Sequence, residues 1–505
     1  MAEVEQMDVV AAALRVPFSL ISSEIEGLYG SQVLAEMAQI IGYYDVYEKG
    51  ASFKTEGSKG DYTPSDLKFK QVASLINKEA RFLFSRSPDL WVDVPPGENR
   101  EAAKEANTTL QNLVDRVLEK NRFKSKLLKA AKDCFIGKRV AYFVNFNEEK
   151  GTIKVNFIPS LEFVYETDED DTDLITKLVA FYTVVDSQSK TNQRIYKKKY
   201  WMHDDGHCWI SEAIYDGHGT LIEELTPERA TKFQYIPAGV IVNDGLTGDL
   251  LGESEVNSLE DFESWFSRLS NADMDAERQG MNPVRWARDM NPESTKNLSI
   301  AAGAFWDLQT DQNSAEGVTG EVGVLETSMN YTNAISSTLS RIKSSMYDTL
   351  DMPDVSPDAL KGVVSSGKTL KAIYWGLIVR CDEKMLAWRP AIENIMRIII
   401  DGAKLYPGSA RGFVSENIPD VEFEVRVDNQ YPLPEDEAEE KQTDLAEVTA
   451  QTMSKKAYMK KWRNLTDEEA DAELQQIAKE RELLEDSFSS PFPTPEPEED
   501  GVDEQ

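Results

Sequence analysis

From Met329 to Asp401 the sequence carries two helix-period apolar seams separated by a segment that can continue neither, and this constrains the fold more than any other stretch. In "NYTNAISSTLSRIKSSMYDTL", Ile335, Leu339, Ile342 and Met346 recur at steps of four, three and four. That spacing draws one narrow apolar stripe along an otherwise polar helix. The segment that follows, "DMPDVSPDALKGVVSSG", holds Pro353, Pro357, Gly362 and Gly367, which break regular structure. Leu360, Val363 and Val364 are the side chains that packing would use to anchor it. Then "KTLKAIYWGLIVRCDEKMLAWRPAIENIMRIIIDG" carries apolar residues at helical spacing for roughly 50 Å, with Pro390 as a point of kinking. The pattern describes a scaffold for helix packing between subunits rather than an active site.

The 505 residues are enough for roughly two to four domains. The formal net charge of −34 argues against a tight nonspecific DNA clamp, which needs a basic surface to release counterions. It is compatible with DNA that passes an acidic wall without being held, and equally with carboxylates gathered in tails and solvated faces. Cys134, Cys208 and Cys381 are far apart and odd in number, which fits a reducing compartment, not a disulfide framework. The opening "MAEVEQMDVVAAALRVPFSLI" begins acidic and lacks the basic region of a secretory signal. No uninterrupted membrane-spanning run is expected, because the second seam includes Arg380, Asp382, Glu383, Lys384 and Arg389.

Along the chain, helices are expected over residues 30–50, from about Ser65 to Phe84, and over 100–119 and 122–134. A short strand is expected near Leu90–Val94. "KRVAYFVNFN", "TIKVNFIPSLEFVYET", "ITKLVAFYTVV" and "QRIYKKKYWMHDDGHCWISEAIYDG" then alternate with period two and form a run of antiparallel strands, with a hairpin at Asp204–Gly206. "IPAGVIVND" adds one more strand and a turn. Helix returns from Glu255 to Gly280, with Leu259, Phe262, Phe266 and Leu269 as its stripe. "VRWARD", "LSIAAGAFWDLQ" and "EVGVLET" read as short strands, as does part of "GFVSENIPDVEFEVRVDN". Beyond Pro434 the chain is helical and charged; Thr466 to Glu469 reads as a capping box, and Leu474, Ile477, Leu483 and Leu484 as a modest seam. "DSFSSPFPTPEPEEDGVDEQ" has a disordered composition.

Motifs for chemistry are sparse. No Gly-rich phosphate loop with a Lys-Ser/Thr ending is present, so the chain is not expected to be its own motor. His203, His207 and Cys208 are the one soft-metal candidate, but they lack an evident fourth ligand and flank a hairpin turn. The run Glu166, Asp168, Glu169, Asp170, Asp171 and Asp173 lacks the glycine and terminal glutamate of a calcium loop and reads as a solvated turn. There is no nucleophile elbow, and three histidines leave little for a triad. No catalytic residue, metal or cofactor is therefore expected. Aromatics beside cations in "YKKKYW" (Tyr196–Trp201) and at Trp286 fit nucleic-acid contact; the alternative is an exposed strand with lysines guarding an edge.

Four stretches give the sequence a resemblance to a known family. They are "LKFKQVASLINKEARFLFSRSPDLWVDV", "IPAGVIVNDGLTGDLLGESEVNSLEDFESWFSRL", "TLSRIKSSMYDTLDMPDVSPDALKGVVSSGKTLKAIYWGLIVRCDEK" and "TAQTMSKKAYMKKWRNLTDEEADAELQQIAKE". Their order and separation, over residues 40–484, resemble the portal proteins of tailed bacteriophages, in particular the siphovirus-like group. The resemblance implies a multidomain α+β chain with wing, helical stem, small α/β clip and helical crown, assembled as a dodecameric ring. Carried onto this sequence, the wing is 1–254, the first stem helix 255–278, the clip 279–327 and the second stem helix 328–350. The channel loop is 351–367, the long helix and return strands 368–433, the crown 434–484 and an acidic tail 485–505.

The same resemblance implies a virion channel at one capsid vertex, assembled in the host cytoplasm, through which double-stranded DNA is packaged and ejected. Its implied partners are further copies of itself, terminase, major capsid and scaffolding proteins, and a head-completion or tail adaptor, with no membrane and no cofactor. Lys361, Gly362, Ser365, Ser366, Gly367 and Lys368 then fall in the channel loop, with Lys361 and Lys368 as weak phosphate contacts. Arg285, Trp286 and Arg288 fall in the clip, and Ile335, Leu339, Ile342 and Met346 pack the stem. The alternatives are another oligomeric neck or minor capsid protein, and a metal-dependent enzyme.

Overall fold

The computed structural model describes residues 17–24, 30–53, 63–95, 100–185, 193–246, 251–281, 284–295, 308–311, 319–325, 331–354, 367–414, 418–433, 437–463, 465 and 467–488. The chain divides into two compact units, Met1–Ser356 with Tyr374–Pro432, and Pro357–Ile373 with Leu433–Gln505.

The first unit is built around two antiparallel sheets. "RVAYFVNFN" is apolar almost without a break, the mark of a strand covered on both faces, and forms β2 (Arg139–Asn147). β2 lies between β3 (Thr152–Pro159) and β9 (Ala238–Val242). β3 shows true alternation: Ile153 and Val155 are buried while Lys154 and Asn156 are exposed, as for a strand with one face on the core. The second sheet runs in sequence order through β4 (Phe163–Thr167), β5 (Ile175–Val185), β6 (Gln193–Met202), β7 (Cys208–Asp216) and β8 (Leu221–Ala230). One face of it meets β2, where Phe143 stacks on Tyr200 with centroids 6.0 Å apart. The other face is covered by α1 (Phe18–Ser22) and α2 (Gly30–Lys49), whose Leu20, Ile21 and Met37 join Val179, Phe181 and Ile195.

Helices α3 (Gln71–Phe84), α4 (Arg100–Lys120) and α5 (Phe123–Gly137) surround this core. The small sheet of β1 (Asp89–Asp93) with β12 (Glu424–Asp428) lies beside them. After β9 come α6 (Glu255–Met281), β10 (Val284–Arg288), α7 (Pro292–Thr295), β11 (Glu321–Leu325) and α8 (Thr332–Thr349). α9 (Gly367–Ile373) belongs to the second unit, and α10 (Trp375–Leu405) returns to the first. The second apolar seam is thus two helices, parted at Tyr374.

α10 passes through Pro390 without ending. Proline cannot donate to the carbonyl one turn back; that carbonyl is on Leu386, which is 74% exposed, so water can satisfy it. Further along, Ile392, Ile395, Met396, Ile398, Ile399 and Ile400 are all buried. Gly402 admits the ring of Phe146 from β2; a Cβ there would sit 2.0 Å from Phe146 Cζ. After α11 (Pro407–Ala410) and β12, the second unit continues as α12 (Glu437–Thr449), α13 (Lys455–Arg463) and α14 (Asp467–Phe488).

One expected boundary is wrong. The helix predicted from about Ser65 begins only at Gln71, entered through Lys70 at φ 51°; residues 63–70 are an extended strap with no regular structure. Its backbone groups are taken by side chains of α6.

Candidate functional site

The apolar stripe expected on α6 is only partly inside: Leu259 is buried, while Phe262, Phe266 and Leu269 are half-buried. The deeply buried stripe includes Glu263, Ser267 and Asn271, one helical turn apart, and Asp275 continues it half-buried. Glu263 accepts hydrogen bonds from the amides of Ala51 (3.1 Å) and Val72 (2.6 Å). Val72 lies in the first turn of α3, whose N-terminal amides need an acceptor and favour negative charge. Asn271 holds both backbone groups of Leu67 at 2.8 Å. Asp275 accepts from the amide of Ser65 (3.1 Å) and its hydroxyl (2.6 Å), and Arg278 donates to the carbonyl of Thr63 (2.7 Å). The strap therefore runs antiparallel to α6, pinned at every second residue from Thr63 to Leu67.

The start of α6 is fixed by a second polar cluster. Arg380 on α10 donates to Glu79 of α3 (2.9 Å) and to Glu255 of α6 (2.5 Å). One turn further along α10, Lys384 reaches Glu255 (2.5 Å), Asn243 (2.9 Å) and Asp244 (3.0 Å) in the turn after β9. Burial disfavours both cations, but the carboxylates of Glu255 and Glu79 more than offset it and hold Arg380 and Lys384 above their usual range. Glu79 is fully buried, and its Oε2 has no donor among the described residues. Burial and the neighbouring Glu255 push its carboxyl up to about 7, against the pull of Lys384 and Arg380.

α8 packs along α6. Met346 is buried, whereas Ile335, Leu339 and Ile342 are half-buried, so the predicted seam stays open along most of its length. At its closed end Tyr347 accepts a hydrogen bond from Lys78 (2.6 Å), whose ammonium also lies 4.8 Å from the ring centre. Between the two helices, β10 and β11 form an antiparallel ribbon from Val284↔Leu325 to Arg288↔Glu321. Trp286 lies over Gly323, where a Cβ would come within 2.6 Å of the indole. Arg285, Trp286, Arg288, Val322 and Val324 are exposed. Arg288 makes a contact of 3.3 Å with Asp289. Isolated two-stranded ribbons are marginal in water, and both faces of this one carry apolar side chains.

Lys361, Gly362, Ser365 and Ser366 lie outside the described residues, as do Leu360, Val363, Val364 and Thr466. Gly367 and Lys368 open α9.

Other sequence candidates resolve into structure. Lys197, Lys198 and Lys199 sit on β6, a central strand, so they guard no edge. Lys197 and Lys199 (3.2 Å) pair with Glu24, which follows α1, and Lys198 pairs with Glu212 (2.9 Å) across the strands. Although burial opposes its charge, these lysines hold the Glu24 carboxyl below its usual value. The patch is a neutralised interior, not a basic surface. His203 stacks on Trp209 (4.7 Å) beside the Asp204–Gly206 turn, and Cys208 is buried. Among the described residues no group of three or more His, Cys, Asp or Glu is placed to hold a metal ion. In the acidic run, Asp168 and Asp171 accept from the amides of Asp170 (2.9 Å) and Asp173 (3.1 Å), the geometry of self-capped turns. Burial pushes the thiol of Cys208 up to about 12, and those of Cys134 and Cys381 above their usual value. None of the described helices is long and apolar enough to cross a membrane.

An α+β body that anchors a helix pair and presents an exposed ribbon has the equipment of a structural subunit. Residues 38–484 match the model of the family described as phage portal protein, SPP1 Gp6-like, and the chain belongs to that family. Its broad function is that of a phage portal protein. A comparison with curated proteins finds no match.

Proposed function

We propose that copies of this chain close into a ring at one capsid vertex, through which double-stranded DNA enters during packaging and leaves at infection. The observation that carries the reading is the half-open seam of α8 in a chain of this family: Ile335, Leu339 and Ile342 are left half-buried by the chain's own packing. A ring supplies the missing cover, because heterologous contacts use two different faces of each subunit and close only at the right rotation. On this reading α6 and α8 are stem helices, residues 279–327 the clip, residues up to 254 the wing and 434–484 the crown.

The ribbon of β10 and β11 adds its unpaired edge to a neighbour's sheet and offers Arg285, Trp286 and Arg288 to terminase and later to an adaptor. The wing faces capsid and scaffolding proteins. The acidic chain conducts DNA without gripping it; Lys361 and Lys368 make sparse phosphate contacts, and Gly362, Ser365, Ser366 and Gly367 let the loop adjust. The ring acts without chemistry of its own.

Negative-stain images of the purified full chain test the ring. An annulus with an axial channel is expected, and a monomer or closed dimer overturns the reading. For the loop, Lys361→Glu is expected to leave the annulus intact and impair packaging or retention of DNA; normal packaging removes Lys361 from the channel.

A further inference from the structure

The second unit is short of core. Among its described apolar side chains only Leu433, Met459 and Ala470 are buried, while Leu445 on α12 is 52% exposed and Ile477 on α14 is 41% exposed. Leu474, Tyr458 and Trp462 are half-buried. A core this small ordinarily needs some additional means of closure. Polar contacts bridge the three helices: Lys461 and the Trp462 indole meet Asp444 of α12, each at 2.8 Å. Lys456 and Arg463 meet Asp471 (2.8 Å) and Glu473 (3.0 Å) of α14.

The charges are also segregated. α13, "KKAYMKKWR", carries cations and no carboxylate, whereas α12 and α14 are dominated by Asp and Glu. Each copy thus presents a basic helix flanked by acidic ones, a self-complementary pattern.

We propose that this unit completes its core on a neighbouring copy, with the basic α13 of one chain set against the acidic α14 of the next and Leu445 and Ile477 covered between them. The proposal rests on the ring reading and names which surfaces meet in this part of it. Charge steers and registers the contact, while burial of the leftover apolar side chains stabilises it. DNA is the other conceivable partner of a basic helix with Trp462 and Tyr458. It is disfavoured because residues 433–488 hold sixteen carboxylates against eight cations.

The test is amide hydrogen exchange of α12, α13 and α14 in the full chain, compared between assembled rings and subunits dissociated by dilution. Protection in rings is expected to exceed that in free subunits by about tenfold or more, the signature of a unit that opens locally when alone. Lys455→Glu with Lys460→Glu is expected to abolish the excess while images still show rings. Adding Glu469→Lys with Glu480→Lys, which reverses the facing surface, is expected to restore it. Equal protection in rings and free subunits overturns the proposal, as does a charge-reversed ring that keeps its protection. Duplex DNA binding that depends on Lys455 and Lys460, with protection unchanged by assembly, overturns it in favour of DNA. A chain that never forms rings overturns this proposal and the ring reading together, whereas rings with an unprotected second unit overturn this proposal alone.

Discussion

The two units use ion pairs in opposite ways. In the first, Glu79, Glu255, Arg380 and Lys384 are locked inside an extensive apolar core, and each charge has been withdrawn from water. In the second, Lys456 with Asp471 and Arg463 with Glu473 lie at the surface around a core of very few residues. The distances are similar, 2.5–3.0 Å in both, so geometry alone says little about worth. What differs is the cost of losing a partner. A buried charge left alone has no solvent to turn to, whereas an exposed one is simply rehydrated.

The sharpest way to break this comparison is Glu255→Gln. It removes the carboxylate shared by Arg380 and Lys384, and a loss of about 3–5 kcal/mol is expected in denaturant unfolding of the first unit. A loss no larger than that of a surface mutation would show that the cluster is wetter than its burial implies.

A smaller, pH-dependent effect is expected from Glu79. Its carboxyl is pushed up from 4.5 to about 7 in the folded chain, so the folded state binds that proton more tightly than the unfolded one. Its contribution to stability is full below about pH 4.5 and is lost as pH rises through about 7. Glu79→Gln keeps a neutral group opposite Arg380 and is expected to flatten that part of the stability–pH curve. Parallel curves for the two proteins across this window would mean that Glu79 stays ionised.

The smallest effect should come from Arg463→Ala, which removes an exposed pair and is expected to cost about 0–1 kcal/mol. That cost should shrink as salt is raised, because exposed charges are screened. Thermal unfolding at low and high ionic strength measures it. A large, salt-independent loss would place Arg463 in the same class as Arg380.

How much of this was legible in the sequence depended on how far apart the partners lie. α6 and α8 follow from helical periodicity, and the sheet strands from alternation, because both signals are local. The strap was misread as helix because Leu67 and Phe69 lead without a break into Val72, Leu75 and Ile76, and together they lie broadly on one side of a helix. What keeps residues 63–70 extended is Asn271 and Asp275, some two hundred positions away. The ionic cluster was invisible for the same reason: its members come from α3, the turn after β9, α6 and α10. "YKKKYW" misled because a run of lysines looks like surface until the register places Glu212 opposite Lys198 and α1 brings Glu24 over the other two. The polar row of Glu263, Ser267, Asn271 and Asp275 at steps of four was a local hint that the inner face of α6 was polar.

The bonds between the strap and α6 also have a mechanical meaning. Glu263 holds Ala51 and Val72 on either side of the strap, Asn271 holds Leu67 and Asp275 holds Ser65, all from the same helix, and the strap lies along its axis. A pull along α6 therefore loads these bonds side by side, in shear, instead of peeling them one after another. Shear shares force among all the contacts at once, so this helix is far harder to slide lengthwise than to lift sideways.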